Sequence, residues 1–271
     1  EKVDPFEVHT RSFAYYERKG LISYIDRWVY SSFLCEVETQ ALNAAKPLRI
    51  VYTPLNGAGF RLVPEALHDR GFNDVSVVDE QAYPDGDFKT CPFPNPEKPE
   101  ALALAIKKAE KEGADLVLAT DPDCDRVGIA VRHNGEFVLL TGNEVGVLLT
   151  DYILGTRYAR WSLPYGATVV RTIVTTSLVD KIAAHFGVKV VPVLTGFKWI
   201  GNVINKLGDN GGNADRFVIG FEESYGYLIG THCRDKDAVV ASVMIAEMTA
   251  YYKSIGRTLI DQLNGIYAMY G

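Results

Sequence analysis

The sequence predicts an α/β protein: two consecutive three-layer α/β domains of similar topology with mixed sheets. Three observations predict it. Short apolar runs alternate with helix-like stretches through both halves of the chain, which implies helices layered on sheets. The 271 residues suit two domains at roughly 100–200 residues each. A hairpin signal, Asn134-Gly135 between apolar runs, sits among the strand–helix–strand units, so the sheets mix pairing directions. A boundary near residues 138–142 divides the chain into 1–140 and 141–271.

The elements follow in order. Residues 11–45 read as helical, with Tyr15, Tyr16, Leu21, Ile25, Trp28, Val29, Phe33 and Val37 near helical spacing, and Pro47 ends the stretch. A buried strand spans 48–53, a turn Pro54–Gly59, and a helix runs to Arg70 with Gly71 as its stop. Val75–Val78 is the next strand, and the proline-rich residues 83–99 form a loop. A helix at 100–112 stops at Gly113. The strand 115–119 runs into an acidic loop, followed by hairpin strands 127–132 and 136–140. The second half reads as helix 143–158, strand 167–171, helix 177–186 ended by Gly187, and strand 188–194. An exposed loop at 208–215, a strand at 216–221, a helix at 237–253 and a further helix from Thr258 complete it.

Composition narrows the function classes. Lys and Arg number 28 against 34 Asp and Glu, a net charge of −6, which argues against nucleic acid as the main partner. No apolar run reaches the roughly 18–20 residues that span a bilayer. The chain begins Glu1-Lys2-Val3 without Met, basic region or apolar leader, so the expectation is a piece of a longer protein with no signal peptide. Cys35, Cys91, Cys124 and Cys233 are widely spaced and read as free thiols in a cytoplasmic protein. The five histidines share no ligand spacing and receive no metal role.

The chemistry concentrates in loops that follow strands, where open α/β sheets place their ligands. In Thr120-Asp121-Pro122-Asp123-Cys124-Asp125-Arg126, three carboxylates within five residues repel one another unless a cation neutralises them. An oxygen-only donor set suits a hard ion, so Asp121, Asp123 and Asp125 are candidate Mg²⁺ ligands. Arg126 beside them can grip a phosphate in a bidentate fork. An EF-hand needs Gly and Glu where Arg126 and Arg132 stand, and an aspartyl-phosphatase motif would not carry Asp125 in its fifth place. The bland alternative is a solvated acidic turn.

Three further loops invite the same question. In Gly220-Phe221-Glu222-Glu223-Ser224-Tyr225-Gly226, alternate residues Glu222 and Ser224 can point the same way and bind vicinal sugar hydroxyls; the alternative is a polar turn. Leu194-Thr195-Gly196-Phe197-Lys198 opens a helix whose free N–H groups can cradle phosphate, or Thr195 simply caps it. In Arg234-Asp235-Lys236-Asp237, Asp235 is a candidate N-cap, and Lys236 is a phosphate or acid–base group or a solvated lysine. The stretch Thr53–Gly59 begins like a dinucleotide fingerprint, but Leu62 occupies the third glycine place.

Taken together, these loops resemble the α-D-phosphohexomutase family of phosphoglucomutases and phosphomannomutases. Thr120–Arg126 resembles its metal loop, Thr195–Lys198 its third-domain substrate loop, Gly220–Gly226 its sugar-specificity loop, and Asp235-Lys236-Asp237-Ala238 the segment after it. Phe93–Glu97 and Thr53–Gly59 also match family landmarks. The loop wording is closest to the phosphoglucomutase and phosphopentomutase branch. The likeness implies the middle two of four domains, the first and fourth being missing; no Thr-Ala-Ser-His-Asn-Pro-like phosphoserine segment is present. Cys124 stands where the family usually has Gly.

The resemblance implies a Mg²⁺-dependent phosphosugar mutase that moves a phosphoryl group between C1 and C6 of glucose through a phosphoserine and glucose 1,6-bisphosphate. It implies catalytic roles for Arg126 and Lys236, and substrate contacts for Asp125, Arg126, Thr195, Gly196, Glu222, Ser224 and Lys236. These residues alone are expected to be inactive. A phosphopentomutase, a phosphomannomutase, a non-catalytic sugar-phosphate module and a phosphatase using Asp121 are the alternatives.

Overall fold

A computed structural model describes residues 4–271. Ser12 caps α1 (Phe13–Arg18) by accepting the Tyr15 N–H. Gly20 then takes φ +67°, a left-handed conformation that ends the helix, and α2 (Arg27–Thr39) starts afresh after Asp26. The single helical stretch expected over 11–45 is therefore two helices. Its apolar stripe is mostly uncovered: Leu21, Ile25 and Trp28 are exposed, while Leu34 and Val37 of α2 are buried. Periodicity shows that one side of a helix is apolar, not that the same chain covers it.

The first sheet comprises β1 (Arg49–Thr53), β2 (Asp74–Val77), β3 (Leu116–Thr120), β4 (Val127–His133) and β5 (Glu136–Leu140), in the order β2-β1-β3-β4-β5. Its first two pairings are parallel, joined through α3 (Gly59–Asp69) and α4 (Pro99–Glu112); the last two are antiparallel. Asn134 and Gly135 both take positive φ, as the tight β4–β5 hairpin requires.

The second sheet comprises β6 (Thr168–Thr172), β7 (Lys189–Val193), β8 (Phe217–Phe221) and β9 (Tyr227–Ile229), in the order β7-β6-β8-β9. That order repeats the first four strands of the first sheet, with the same parallel, parallel, antiparallel pairing. Around it lie α5 (Gly142–Ala159), α6 (Leu178–His185), α7 (Phe197–Gly208), α8 (Ala238–Ser254) and α9 (Leu259–Tyr270). The strands fall within a residue of expectation. The exception is β9, whose three residues are too short to show a period. The loop expected at 208–215 contains two short 3₁₀ turns, Asp209–Gly211 and Ala214–Arg216.

One apolar core runs through both sheets. It joins Ile50, Tyr52 and Leu118 of the first sheet to Val169, Ile219 and Phe221 of the second, with the buried length of α8 among them. α8 packs against α2, α3, β3 and β4 as well as α5, α9 and β9. A helix buried along nearly its whole length is an interior helix. Smaller cores under α4 and α7 fill the opposite faces of the two sheets and complete the three-layer arrangement.

Candidate active site

The acidic loop sits between β3 and β4, at the carboxyl end of the first sheet. Asp121 is fully buried, and backbone shapes the loop around it. Asp121 Oδ1 accepts the N–H groups of Asp125 (3.1 Å) and Arg126 (2.9 Å), and Oδ2 accepts Arg126 Nε at 2.7 Å. Cys124 takes φ +58°, the left-handed region, which accounts for a turn that glycine would make most easily. One carboxylate oxygen each from Asp121, Asp123 and Asp125 lies within 4.8 Å of the others. The trio therefore converges, with Asp123 exposed and Asp125 half-buried.

Charge balance comes from two neighbours. Lys236 Nζ reaches Asp125 Oδ2 at 2.7 Å, and Arg126 lies 3.8 Å from Asp125 Oδ1. Burial pushes the Asp121 carboxyl up to about 6, against the lowering effect of its Arg126 hydrogen bonds. Burial also lowers the Lys236 ammonium, but the Asp125 hydrogen bond and the charges of Asp125, Asp235 and Glu222 outweigh it and hold the pKa above the ordinary lysine value. Lys236 is thus an ammonium at neutral pH. The Cys124 thiol is pushed up to about 12 by burial, so it is no nucleophile.

The other loops meet here. The Arg126 and Gly226 backbones form an antiparallel bridge, and Val127 N–H donates to Tyr225 O at 3.1 Å. Glu222 is buried, and its Oε1 accepts the Gly196 N–H at 2.9 Å. That bond engages the N–H of the residue that precedes α7. Thr195 does not cap α7; Gly196, at φ +114°, holds that position without a side-chain bond. Ser224 is half-buried beside Tyr225, which takes φ +68°. Asp235 is not the N-cap of α8. Asp237 is, accepting the Val239 and Val240 N–H groups.

Several further residues matter here that the sequence analysis gave no individual role. Glu97, in the proline-rich loop, pairs with Arg126 Nη1 at 3.3 Å, so two of the guanidinium nitrogens are engaged by carboxylates and the expected bidentate fork is partly spent. Glu223 Oε2 accepts the hydroxyls of Thr172 (3.2 Å) and Thr175 (3.1 Å) and anchors the Glu222–Ser224 loop to the end of β6. The Thr53–Gly59 stretch supports the acidic loop: Ala58 N–H donates to Pro122 O at 2.8 Å, and a side chain at Gly57 would run into the Pro122 backbone. Gly57 therefore serves close backbone approach. Among the histidines, His232 does have potential ligands beside it, in Cys233 and Asp237.

Comparison with known proteins fits this arrangement. Residues 24–135 match the family described as phosphoglucomutase/phosphomannomutase, alpha/beta/alpha domain II, and residues 141–270 match its domain III. A phosphomannomutase of Mycoplasmoides pirum is 35% identical over 258 residues, covering 93% of this chain and 46% of that protein. A phosphoglucomutase of Staphylococcus haemolyticus (strain JCSC1435) is 37% identical over 245 residues, covering 90% and 43%. The chain thus spans less than half the length of these curated relatives. The fold is shared with a phosphoglucomutase/phosphomannomutase family protein from Burkholderia thailandensis (TM-score 0.66, 20% identity, 88% of this chain and 46% of that one). It is also shared with Aspergillus fumigatus N-acetylphosphoglucosamine mutase in complex with GlcNAc-6P and magnesium (TM-score 0.58, 14% identity, 88% and 49%).

Proposed function

The chain belongs to the phosphoglucomutase/phosphomannomutase family, and from that premise we propose that residues 1–140 and 141–271 act as the metal-holding and sugar-binding middle domains of a phosphohexose mutase. The observation that carries this reading is the convergence of three aspartate oxygens on a loop tied, through Lys236–Asp125 and the Arg126–Gly226 bridge, to the loop of Glu222 and Ser224.

Asp121, Asp123 and Asp125 fit Mg²⁺, since the donor set is all oxygen and the oxygens already lie within 4.8 Å of one another. Bound there, Mg²⁺ would withdraw charge from a transferring phosphoryl group. The chain's own residues do the rest. Arg126, fixed by Asp121 and Glu97, offers its remaining nitrogen, Nη2, to phosphoryl oxygens. Lys236, held as an ammonium, acts as a general acid that gives a proton to the departing sugar oxygen. Ser224 and the second oxygen of Glu222 hold sugar hydroxyls, with Gly196 tied to Glu222 through its N–H and Thr195 next to it in the chain. The phosphoserine and the distal phosphate loop belong to first and fourth domains outside residues 1–271, and glucose 1,6-bisphosphate is the intermediate and activator. We place the protein in the cytoplasm, in keeping with four free cysteines. Among the described residues no helix is long and apolar enough to cross a membrane.

The test compares the 271-residue chain with the full-length parent. Given Mg²⁺ and glucose 1,6-bisphosphate, the parent interconverts glucose 1-phosphate and glucose 6-phosphate and this chain alone does not. Asp123→Asn in the parent lowers kcat by about two orders of magnitude, the scale of losing one preorganised electrostatic partner. Turnover by the isolated chain, or an unchanged kcat in the variant, overturns the reading. The name of the Mycoplasmoides pirum relative supports a phosphomannomutase as second reading, decided by the ratio of kcat/KM for mannose 1-phosphate and glucose 1-phosphate.

A further inference from the structure

Beside the acidic loop lies a second group of ligating side chains with a different chemistry. In the turn from β9 to α8, His232, Cys233 and Asp237 bring a ring nitrogen, Sγ and a carboxylate oxygen within 4.8 Å of one another. Asp237 is fixed from two sides. Its Oδ1 caps α8, and its Oδ2 meets His232 Nε2 at 2.8 Å. The other ring nitrogen, His232 Nδ1, is buried with no hydrogen-bond partner, on a side chain only 4% exposed. In a neutral ring that atom is a bare lone pair; in a charged ring it is an N–H without an acceptor. Either state leaves the imidazole incompletely satisfied by protein alone. A carboxylate on one ring nitrogen with the other left open is how proteins orient histidines toward metals. Cys233 is half-buried, so its thiol, which rests 3.1 Å from Asp235 O, remains within reach of solvent.

We propose that His232 Nδ1 and Cys233 Sγ, with Asp237 holding the ring from Nε2, form a second metal site, selective for a borderline-soft divalent ion of the Zn²⁺ class and separate from the acidic loop. Thiolate and imidazole donors favour such an ion over Mg²⁺, whose preference is for oxygen. On binding, the metal–sulfur bond replaces the Cys233 S–H bond, and the proton leaves to water. The segment between Cys233 and Asp237 carries Lys236, so an ion here clamps both ends of the chain that presents Lys236 to Asp125, the Asp237 end through His232. The site stands independently of the mutase reading.

Co²⁺ is the probe, titrated into the 271-residue chain in excess Mg²⁺ so that the acidic loop does not compete. One equivalent is expected to give a thiolate-to-cobalt absorption band that Zn²⁺ displaces. Cys233→Ser abolishes the band, whereas Cys35→Ser and Asp123→Asn keep it. His232→Gln weakens Co²⁺ binding at least about tenfold, with its fold checked by circular dichroism. No band in the unaltered chain, a band that survives Cys233→Ser, or one that disappears in Asp123→Asn overturns the proposal.

Discussion

Asp121 illustrates how one side chain serves structure and chemistry at once. Its oxygens knit the loop together by accepting two backbone N–H groups and the Arg126 guanidinium, yet burial holds its carboxyl up at about 6. An unfolded aspartate titrates near 3.9. Between those values the unfolded chain gives up a proton that the folded chain keeps, so stability falls as pH rises through this window, and the full penalty stands above pH 6. Asp121→Asn removes that ionisation. In divalent-free buffer the unaltered chain is expected to lose more Tm than the variant between pH 4 and pH 7.5; thermal melts at both pH values check this. A Tm difference independent of pH would show that the carboxylate is not the source. The same substitution removes a Mg²⁺ ligand, the usual exchange of function for stability at a site that concentrates charge.

At the level of elements, the two sheets place equivalent loops side by side. One follows β3 and the other β8, each the second parallel neighbour of its sheet's inner strand, and each leads into an antiparallel strand. Each also contains one non-glycine residue at positive φ, Cys124 or Tyr225, and the Arg126–Gly226 bridge joins them. This juxtaposition makes small residues decisive. A methyl group at Gly226 would run into the Lys236 side chain. Gly226→Ala is therefore expected to shift Lys236 away from Asp125 and lower kcat of the parent enzyme about tenfold, with Tm changed by no more than about 4 °C. A normal kcat would show that Lys236 does not need this position. Gly57→Ala, which drives a Cβ against the Pro122 backbone, is expected to destabilise by about 1–3 kcal/mol, measured by urea unfolding. The sequence marked the glycines of Thr53–Gly59 as unusual. The reason for Gly57 lay in Pro122, more than sixty positions away, and no local pattern carries such a partner.

On the scale of the whole molecule, α8 binds the two sheets together. Glu247, on α8 and almost wholly buried, accepts the Leu42 and Asn43 N–H groups, the Tyr152 hydroxyl and Arg70 Nη2. A carboxylate so enclosed is tolerated because nearly every lone pair is used, and its removal strands the partners. Glu247→Ala is expected to cost about 3–5 kcal/mol in urea unfolding. Because one core passes through both sheets, the unaltered chain should lose its near-UV and far-UV circular dichroism in a single urea transition. Two separated transitions would show that the halves fold as independent units.

Sequence alone determined the layered architecture, nearly every strand and the acidic trio, because strand period, helix caps and turn residues act over a few positions. Asn134-Gly135 closed its hairpin and Gly113 ended its helix, both at positive φ, by chemistry legible in the dipeptide or the single residue. Only the tertiary structure decided which charges face one another. It set Lys236 on Asp125, Glu97 on Arg126, Glu222 on the Gly196 N–H and Asp237 on His232. It also left the apolar side of Leu21, Ile25 and Trp28 uncovered. Contacts between distant segments depend on how the sheets are stacked, and a strand's local pattern holds no record of which loop lies across from its end.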